Sequence, residues 1–342
     1  MAKIYRVLVI GTGFATRVQI PVLLKHPRFE VTAVCSRNPE RAATVAEEFN
    51  TPHHGTDYKA LMEHVDLVSV VSEVAEHRDQ AVAALQAGKH LLLEKPAAAS
   101  VQETQEILDA QTSTVGAINH EFRYQPDIQR LKREWDRLGD LRFIEVKKTY
   151  SFWADPEAAT YGWLSQKERG GGLLGAIGSH LVDMVRYLTG REVVDAKGLA
   201  WTMVDRRKDK NKESQVVTAD DSTSFVLTLD GKVRARVETS ASLWWQEDLV
   251  RVYGSKGTAS LYGDGVVHFR EAEGEEVALE HDAQDELPWE DPDMRKPLFH
   301  VLLDRLAARC DGQEVPDLAT LEDGLRTLEV LEAIRKQSES TA

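Results

Sequence analysis

Lys95 stands in the triplet Glu94-Lys95-Pro96, directly after the apolar run Leu91-Leu92-Leu93. Such a run reads as a buried strand. A lysine at the carboxyl end of a strand in a nucleotide-binding sheet sits where ligands bind in such folds. An ammonium there stabilises a developing alkoxide and can help relay its proton. Far upstream, Gly11-Thr12-Gly13-Phe14-Ala15-Thr16 follows a second apolar run, Val7-Leu8-Val9-Ile10. Gly11 permits a tight turn, and Gly13 lets backbone N–H groups approach a pyrophosphate at a helix N-terminus. Thr12, Phe14 and Ala15 complete the turn expected to bind the cofactor, while Thr16 replaces the third glycine of the G-x-G-x-x-G pattern. The next strand ends in Cys35-Ser36-Arg37-Asn38, without the acid that usually holds a ribose 2′-hydroxyl. Ser36 and Arg37 are suited to a 2′-phosphate instead, so NADP(H) is expected to be favoured over NAD(H).

These residues need a scaffold, and the first 120 positions supply its pattern. Strand-like runs cover Ile4–Ile10, Glu30–Cys35, Asp66–Val71, His90–Leu93 and Val115–Asn119, with helical patterns between them. Asn38-Pro39 reads as N-cap and first helical residue. Ser100 and Glu103 have capping-box spacing, and Gly88 suits the left-handed position after a helix from His77 to Ala87. Alternating strands and helices predict a mostly parallel sheet covered on both faces. After Asn119 the rhythm changes. Helices are expected over 125–138 and 177–188, with a strand at Leu141–Tyr150. Antiparallel strands follow, the clearest at Phe225–Leu229 and Lys232–Val237 around Asp230-Gly231. The expected fold is α/β: a dinucleotide-binding Rossmann domain over residues 1–120, then an α+β domain over 121–342 with an open, mostly antiparallel sheet. The last helices, Pro297–Cys310 and Thr320–Lys336, are candidates to pack back on the first domain. Asp205–Ser214 reads as a charged solvated loop, and Gly274–Asp293 as acidic and irregular.

Composition removes several function classes. The net charge of −14 over 342 residues, with no undiluted basic block, argues against nucleic-acid binding. Two cysteines imply no disulfide framework. No apolar stretch approaches the roughly 20 residues of a membrane helix, so a soluble cytoplasmic protein is expected. His53-His54 has no partner at metal-ligand spacing, so no metal is expected. Trp244-Trp245 cannot share one face of a strand, which predicts one packed and one at an edge.

The order of motifs carries a resemblance. The glycine turn, Ala87-Gly88-Lys89-His90 running into Glu94-Lys95-Pro96, Gly170-Gly171-Gly172, and Gly178-Ser179-His180-Leu181-Val182-Asp183 resemble the glucose–fructose oxidoreductase/inositol dehydrogenase (Gfo/Idh/MocA) family. The resemblance runs from the first strand to the last helix. It implies hydride transfer between nicotinamide and a carbon bearing hydroxyl or carbonyl, usually on a sugar or cyclitol. It assigns Lys95 to the reacting oxygen, Glu94 to orienting that lysine, and His180 to acid–base work, for which imidazole is suited near neutrality.

Two departures matter. The family usually has Asp four residues before this histidine, where the chain has Ala176. Asp183 shares a helix face with His180 by spacing, but the family often has an acid there too, so spacing does not decide whether it substitutes. Ser72-Glu73-Val74-Ala75-Glu76-His77 stands where family members commonly read Thr-Pro-Asn. Ser72 and His77 remain cofactor-side candidates, as do Glu94 and Lys95 at the end of the Leu91-Leu92-Leu93 run. Arg123, Tyr124, Trp163 and Asp183 are candidates for substrate binding, with Glu121 beside them; Trp163 could stack on a sugar face.

The expected function is an NAD(P)-dependent oxidoreductase of a sugar, cyclitol or related small molecule. It is expected to form a homodimer or homotetramer through the C-terminal sheet, with no nucleic-acid or membrane partner. The alternatives are a dinucleotide-binding regulator without catalysis and a reductase of a nonsugar conjugated substrate.

Overall fold

Strands whose both faces are covered lose the alternation of half-exposed strands and read as continuous apolar runs. The structure, a computed structural model, describes residues 2–158, 160–279 and 282–341. It bears this out in a six-stranded parallel sheet. Its strands are β1 (Tyr5–Ile10), β2 (Phe29–Cys35), β3 (His53–Gly55), β4 (Leu67–Val70), β5 (His90–Leu93) and β6 (Gly116–Ile118). Their spatial order is β3-β2-β1-β4-β5-β6. The order reverses direction between β1 and β4, and ligands of such sheets bind outside the carboxyl ends at that point. Leu8, Val68, Leu91 and Leu93 are wholly buried there.

Helices α1 (Phe14–Arg17), α2 (Gln19–Lys25), α3 (Pro39–Glu48), α4 (Tyr58–Leu61), α5 (Val74–Gln86) and α6 (Val101–Ala110) connect the strands. The Asn38 side chain accepts from Arg41 N at 2.9 Å, capping α3. Ser100 Oγ accepts from Glu103 N at 3.2 Å, while Glu103 reaches back to Ala99 N at 3.0 Å. Gly88 has φ +68° at the end of α5, as its left-handed role requires.

The chain divides into two compact units, Met1–Glu121 with Leu287–Leu325 and Phe122–Glu286 with Arg326–Ala342. In the second unit, α7 (Pro126–Arg133) and α8 (Ser179–Thr189) accompany an eight-stranded mixed sheet. Its members are β7 (Leu141–Thr149), β8 (Val193–Trp201), β11 (Ser222–Leu229), β12 (Arg234–Ser240), β13 (Glu247–Gly254), β14 (Gly257–Leu261), β15 (Val267–Glu271) and β16 (Glu276–Leu279), in the order β16-β15-β14-β13-β7-β12-β11-β8. Only β12 and β7 are parallel; the other pairs are antiparallel. The sheet is open. Two short strands, β9 (Arg206–Lys208) and β10 (Ser214–Val216), form a separate ribbon.

The late helices are α9 (Arg295–Cys310) and α10 (Leu321–Thr341). The segment bearing α9 belongs to the first unit: Tyr5 Oη donates to Asp311 Oδ1 at 2.8 Å, and Ile118 N donates to Ala319 O at 3.0 Å. Among the described residues no helix is long and apolar enough to cross a membrane.

Three local expectations are corrected. Residues 205–214 are only in part a solvated loop: the turn over 209–213 is largely exposed, but the stretch also contains β9 and the buried Arg207. The acidic stretch after Gly274 holds β16 and the buried Asp285, which binds Arg130 at 2.7 Å. Trp244 and Trp245 are both exposed, at 75% and 77%. They fall in the turn between β12 and β13, where strand alternation does not apply.

Candidate functional site

The glycine turn is built by steric necessity. Gly11 has φ +106°, and a Cβ there would lie 2.5 Å from Val71 O. Its N–H donates to Cys35 O at 2.9 Å, and Val71 N donates to Ile10 O at 2.8 Å. The ends of β1, β2 and β4 are therefore drawn together at this residue. Gly13 has nothing within 4 Å of the position a Cβ would take. This open cradle at the start of α1 fits a dinucleotide pyrophosphate, with the backbone N–H groups as donors. Ala15 is wholly buried, while Thr16 is half-buried and turns its hydroxyl back to Gly13 O at 3.1 Å.

Around the turn, Thr12 Oγ1 donates to Ser36 Oγ at 3.4 Å. Arg41, which sequence reasoning passed over, donates to Thr12 O at 3.2 Å from the first turn of α3. Arg37 Nη2 pairs with Glu73 Oε1 at 2.9 Å. Ser72 Oγ donates to Gln80 Oε1 at 2.7 Å. The buried His77 places its ring nitrogens 3.0 Å from Pro96 O and 3.3 Å from Ser72 O. Burial lowers its pKa, with the backbone hydrogen bonds opposing. His77 thus lies between the exits of β4 and β5, and its neutral ring donates its single N–H to one of these two carbonyls.

Lys95 follows a carboxylate fixed by its neighbours. Glu94 Oε1 accepts from Gln19 Nε2 at 2.8 Å and from Asn119 Nδ2 at 2.6 Å, and Oε2 accepts from Lys95 N at 3.3 Å. Gln19 is itself held by Ser69 Oγ at 2.7 Å. Ser69, Gln19, Glu94 and Asn119 are all buried, so the strand exit that presents the half-buried Lys95 is rigidly supported.

Glu121 completes this edge. Burial pushes its carboxyl up to about 7, the Glu94 carboxylate adds to the rise, and Lys95 and Arg295 oppose it. A group with a raised folded pKa contributes stability below its unfolded value, here 4.5, and loses it as pH rises through about 7. Glu121→Gln is therefore expected to gain stability over the parent between pH 5 and 8, by up to about 3 kcal/mol. Urea unfolding at the two pH values checks this, and an equal difference at both would refute it. Arg295, from the start of α9, places its guanidinium 5.3 Å from the Phe14 ring centroid and pairs with Asp293 at 2.6 Å. Nothing in the local sequence announced Arg295, because α9 lies far along the chain from the glycine turn.

In the second unit, the buried His180 stacks on Phe122 with centroids 4.2 Å apart and ring planes at 15°. Lys148, also buried and also missed, lies 5.6 Å from the Phe122 centroid and pairs with Asp248. Arg123 and Asp183 meet each other: Nε donates to Oδ2 at 2.8 Å and Nη2 to Oδ1 at 2.6 Å, with both side chains buried. This bidentate pair braces the residues after β6 against α8, the helix that carries His180. Tyr124 is buried as well, whereas Trp163 is 41% exposed.

The turn before α8, Leu174–Gly178, is a π-helix and contains Ala176. Simple α-helical spacing between 176 and 180 therefore does not hold. The turn is anchored by Asp220, which accepts from Leu174 N at 2.7 Å and whose carboxyl is pushed up to about 6 by burial.

Among the described residues, His26, His300 and Asp304 are spaced as metal ligands could be. The chemistry argues against an ion. His26 Nδ1 accepts from Arg28 N at 3.1 Å, so the neutral ring carries its proton on Nε2, which faces Asp304 Oδ1 at 3.1 Å.

Residues 5–118 match a family model described as the oxidoreductase family with an NAD-binding Rossmann fold, and residues 129–260 match the GFO/IDH/MocA C-terminal domain. The chain is 32% identical over 268 residues to an uncharacterized oxidoreductase of Synechocystis sp., covering 76% of this chain and 72% of that one. It is 27% identical over 361 residues to glucose-fructose oxidoreductase domain-containing protein 1 of Mus musculus, covering 97% and 90%. A solved levoglucosan dehydrogenase, in complex with NADH and L-sorbose, shares the fold with a TM-score of 0.86 at 20% identity, covering 98% and 97% of the two chains.

Proposed function

We propose that this chain, which belongs to the GFO/IDH/MocA oxidoreductase family, oxidises or reduces a hydroxyl or keto carbon of a sugar, cyclitol or related molecule. The observation that carries the reading is Lys95 at the carboxyl end of β5, in the same unit as the open Gly13 cradle and on a carboxylate network that fixes its backbone. A levoglucosan dehydrogenase of the same fold, solved with L-sorbose and NADH, supports the sugar class.

Gly11, Thr12, Gly13, Phe14 and Ala15 would hold the pyrophosphate, with Ser36 and Arg37 on the adenosine side. Ser36 and Arg37 support a preference for NADP(H). The bound nicotinamide supplies or accepts the hydride. Lys95 donates a hydrogen bond to the reacting oxygen and stabilises it as it gains alkoxide character. His180 holds or releases the substrate proton, and Trp163 offers an apolar face to a sugar ring. A panel of sugars and cyclitols with NAD(P)+, and of their keto forms with NAD(P)H, tests this by nicotinamide absorbance. Tight dinucleotide binding without turnover across the panel would favour the regulator reading, which Ala176 in place of an acid supports.

Assembly is proposed through the face of the eight-stranded sheet that carries Leu199, Trp201 and Val226, which are 42%, 39% and 41% exposed. Their positions on paired strands place them on one face: Ser224 lies opposite Leu199, and Val226 two residues along lies opposite Lys197. Val226→Arg is expected to reduce the mass measured by light scattering to that of one chain. A native mass already equal to one chain would remove the proposal.

A further inference from the structure

We infer that Glu73 sets the balance between NAD(H) and NADP(H), acting from the exit of β4 as the ribose acid that the end of β2 lacks. The inference rests on the dinucleotide reading of the first unit and goes beyond the cofactor preference drawn from Ser36 and Arg37.

Several observations point to it. Glu73 lies two residues after Val71, whose carbonyl defines the clearance at Gly11, so it borders the glycine turn. It reaches across to the residue after Ser36, with Oε1 2.9 Å from Arg37 Nη2. Ser36 is in turn linked to Thr12 within the turn. Glu73 is also the N-cap residue of α5, yet its side chain makes no capping bond to that helix. The short Asp, Asn, Ser and Thr side chains do that capping, whereas the longer glutamate reaches further from the helix end. Here the carboxylate is directed to Arg37 instead.

The pair is unsuited to a stabilising role. Its side chains are 72% and 34% exposed, and exposed pairs contribute little. Its consequence is chemical. A carboxylate beside the ribose accepts a 2′-hydroxyl and repels a 2′-phosphate. Arg37 does the reverse, through charge-assisted hydrogen bonds to phosphate. Paired, the two offset each other, and the preference that Arg37 would give alone is restrained. Because the pair is exposed and cheap to open, Arg37 can leave Glu73 for a phosphate when NADP(H) arrives.

Calorimetric titration of NADH and NADPH into the parent, Glu73→Gln and Arg37→Ala proteins tests this. Glu73→Gln keeps the shape and removes the charge. It is expected to shift the affinity ratio toward NADPH by about tenfold, chiefly by tightening NADPH. Arg37→Ala is expected to weaken NADPH and spare NADH. A ratio that Glu73→Gln leaves unchanged, while both cofactors bind, overturns the inference and leaves the dinucleotide reading standing. Failure of the parent to bind either cofactor overturns both.

Discussion

Replacing Lys95 with alanine is expected to lower kcat/KM on the turned-over sugar or cyclitol by roughly 10²–10⁴-fold, the range for losing a positioned proton-transfer or oxyanion group. Dinucleotide affinity should hardly change, because the cradle at Gly11 and Gly13 is built by other strand ends. The fall should appear mainly in kcat, since an ammonium that meets a developing alkoxide acts most strongly in the transition state. Lys95→Arg separates charge from proton relay. Arginine keeps the positive charge but does not give up its proton, and its planar fork fits a single oxygen poorly. It is therefore expected to recover only part of the loss. Glu94 should be undisturbed in both variants, as its acceptors are met by Gln19, Asn119 and the Lys95 backbone N–H, which does not depend on the side chain. A loss under tenfold for Lys95→Ala would move the oxygen-stabilising role elsewhere, with Glu121 and His180 the next groups to test.

The elements that place Lys95 were legible because their signals are local. β5 was bounded correctly as His90–Leu93, since a strand covered on both faces shows an unbroken apolar run. Asn38, Ser100 and Gly88 each announced a helix end through a side chain or a backbone conformation that acts within a few residues. β8 gave no such signal. Its Asp195, Lys197 and Gly198 break the apolar pattern, and it is an edge strand with one neighbour, where polar residues are tolerated.

The chemistry was legible only where one residue type carries it. Lys95 and the glycine turn stood out. The pairing of Arg37 with Glu73 did not, because it joins residues 36 positions apart at the ends of two strands that are not neighbours. Arg123 and Asp183 were each read as groups for a substrate, and the structure spends them on one another. Spacing along a chain indicates that a charge is present near a site. It does not say which opposite charge the fold will set against it.

Arg207 shows the same limit with the largest consequence for stability. In sequence it lies within Arg206-Arg207-Lys208, a run that looks solvated. In the structure Arg207 and Asp221 form an ion pair at 3.0 Å with both side chains wholly buried. Arg207 also donates to Ser165 Oγ at 3.2 Å and lies 4.2 Å from the Trp153 ring centroid. Asp221 accepts further bonds from Met203 N at 2.8 Å and Val204 N at 3.0 Å. The pair pins β9, and through it the loop of Trp163, since Tyr161 N donates to Lys208 O at 2.8 Å. Asp221→Ala is expected to cost about 3–5 kcal/mol, because it strands a buried guanidinium and two backbone N–H groups together. Arg207→Met should cost less, since Asp221 keeps its backbone donors and the methionine refills part of the volume beside Trp153. That order, Asp221→Ala worse than Arg207→Met, follows from which partner has other bonds to fall back on. Urea unfolding of the two variants measures it. Equal losses would mean the pair acts through charge alone, and losses under about 1 kcal/mol, as for an exposed pair, would mean that water reaches it.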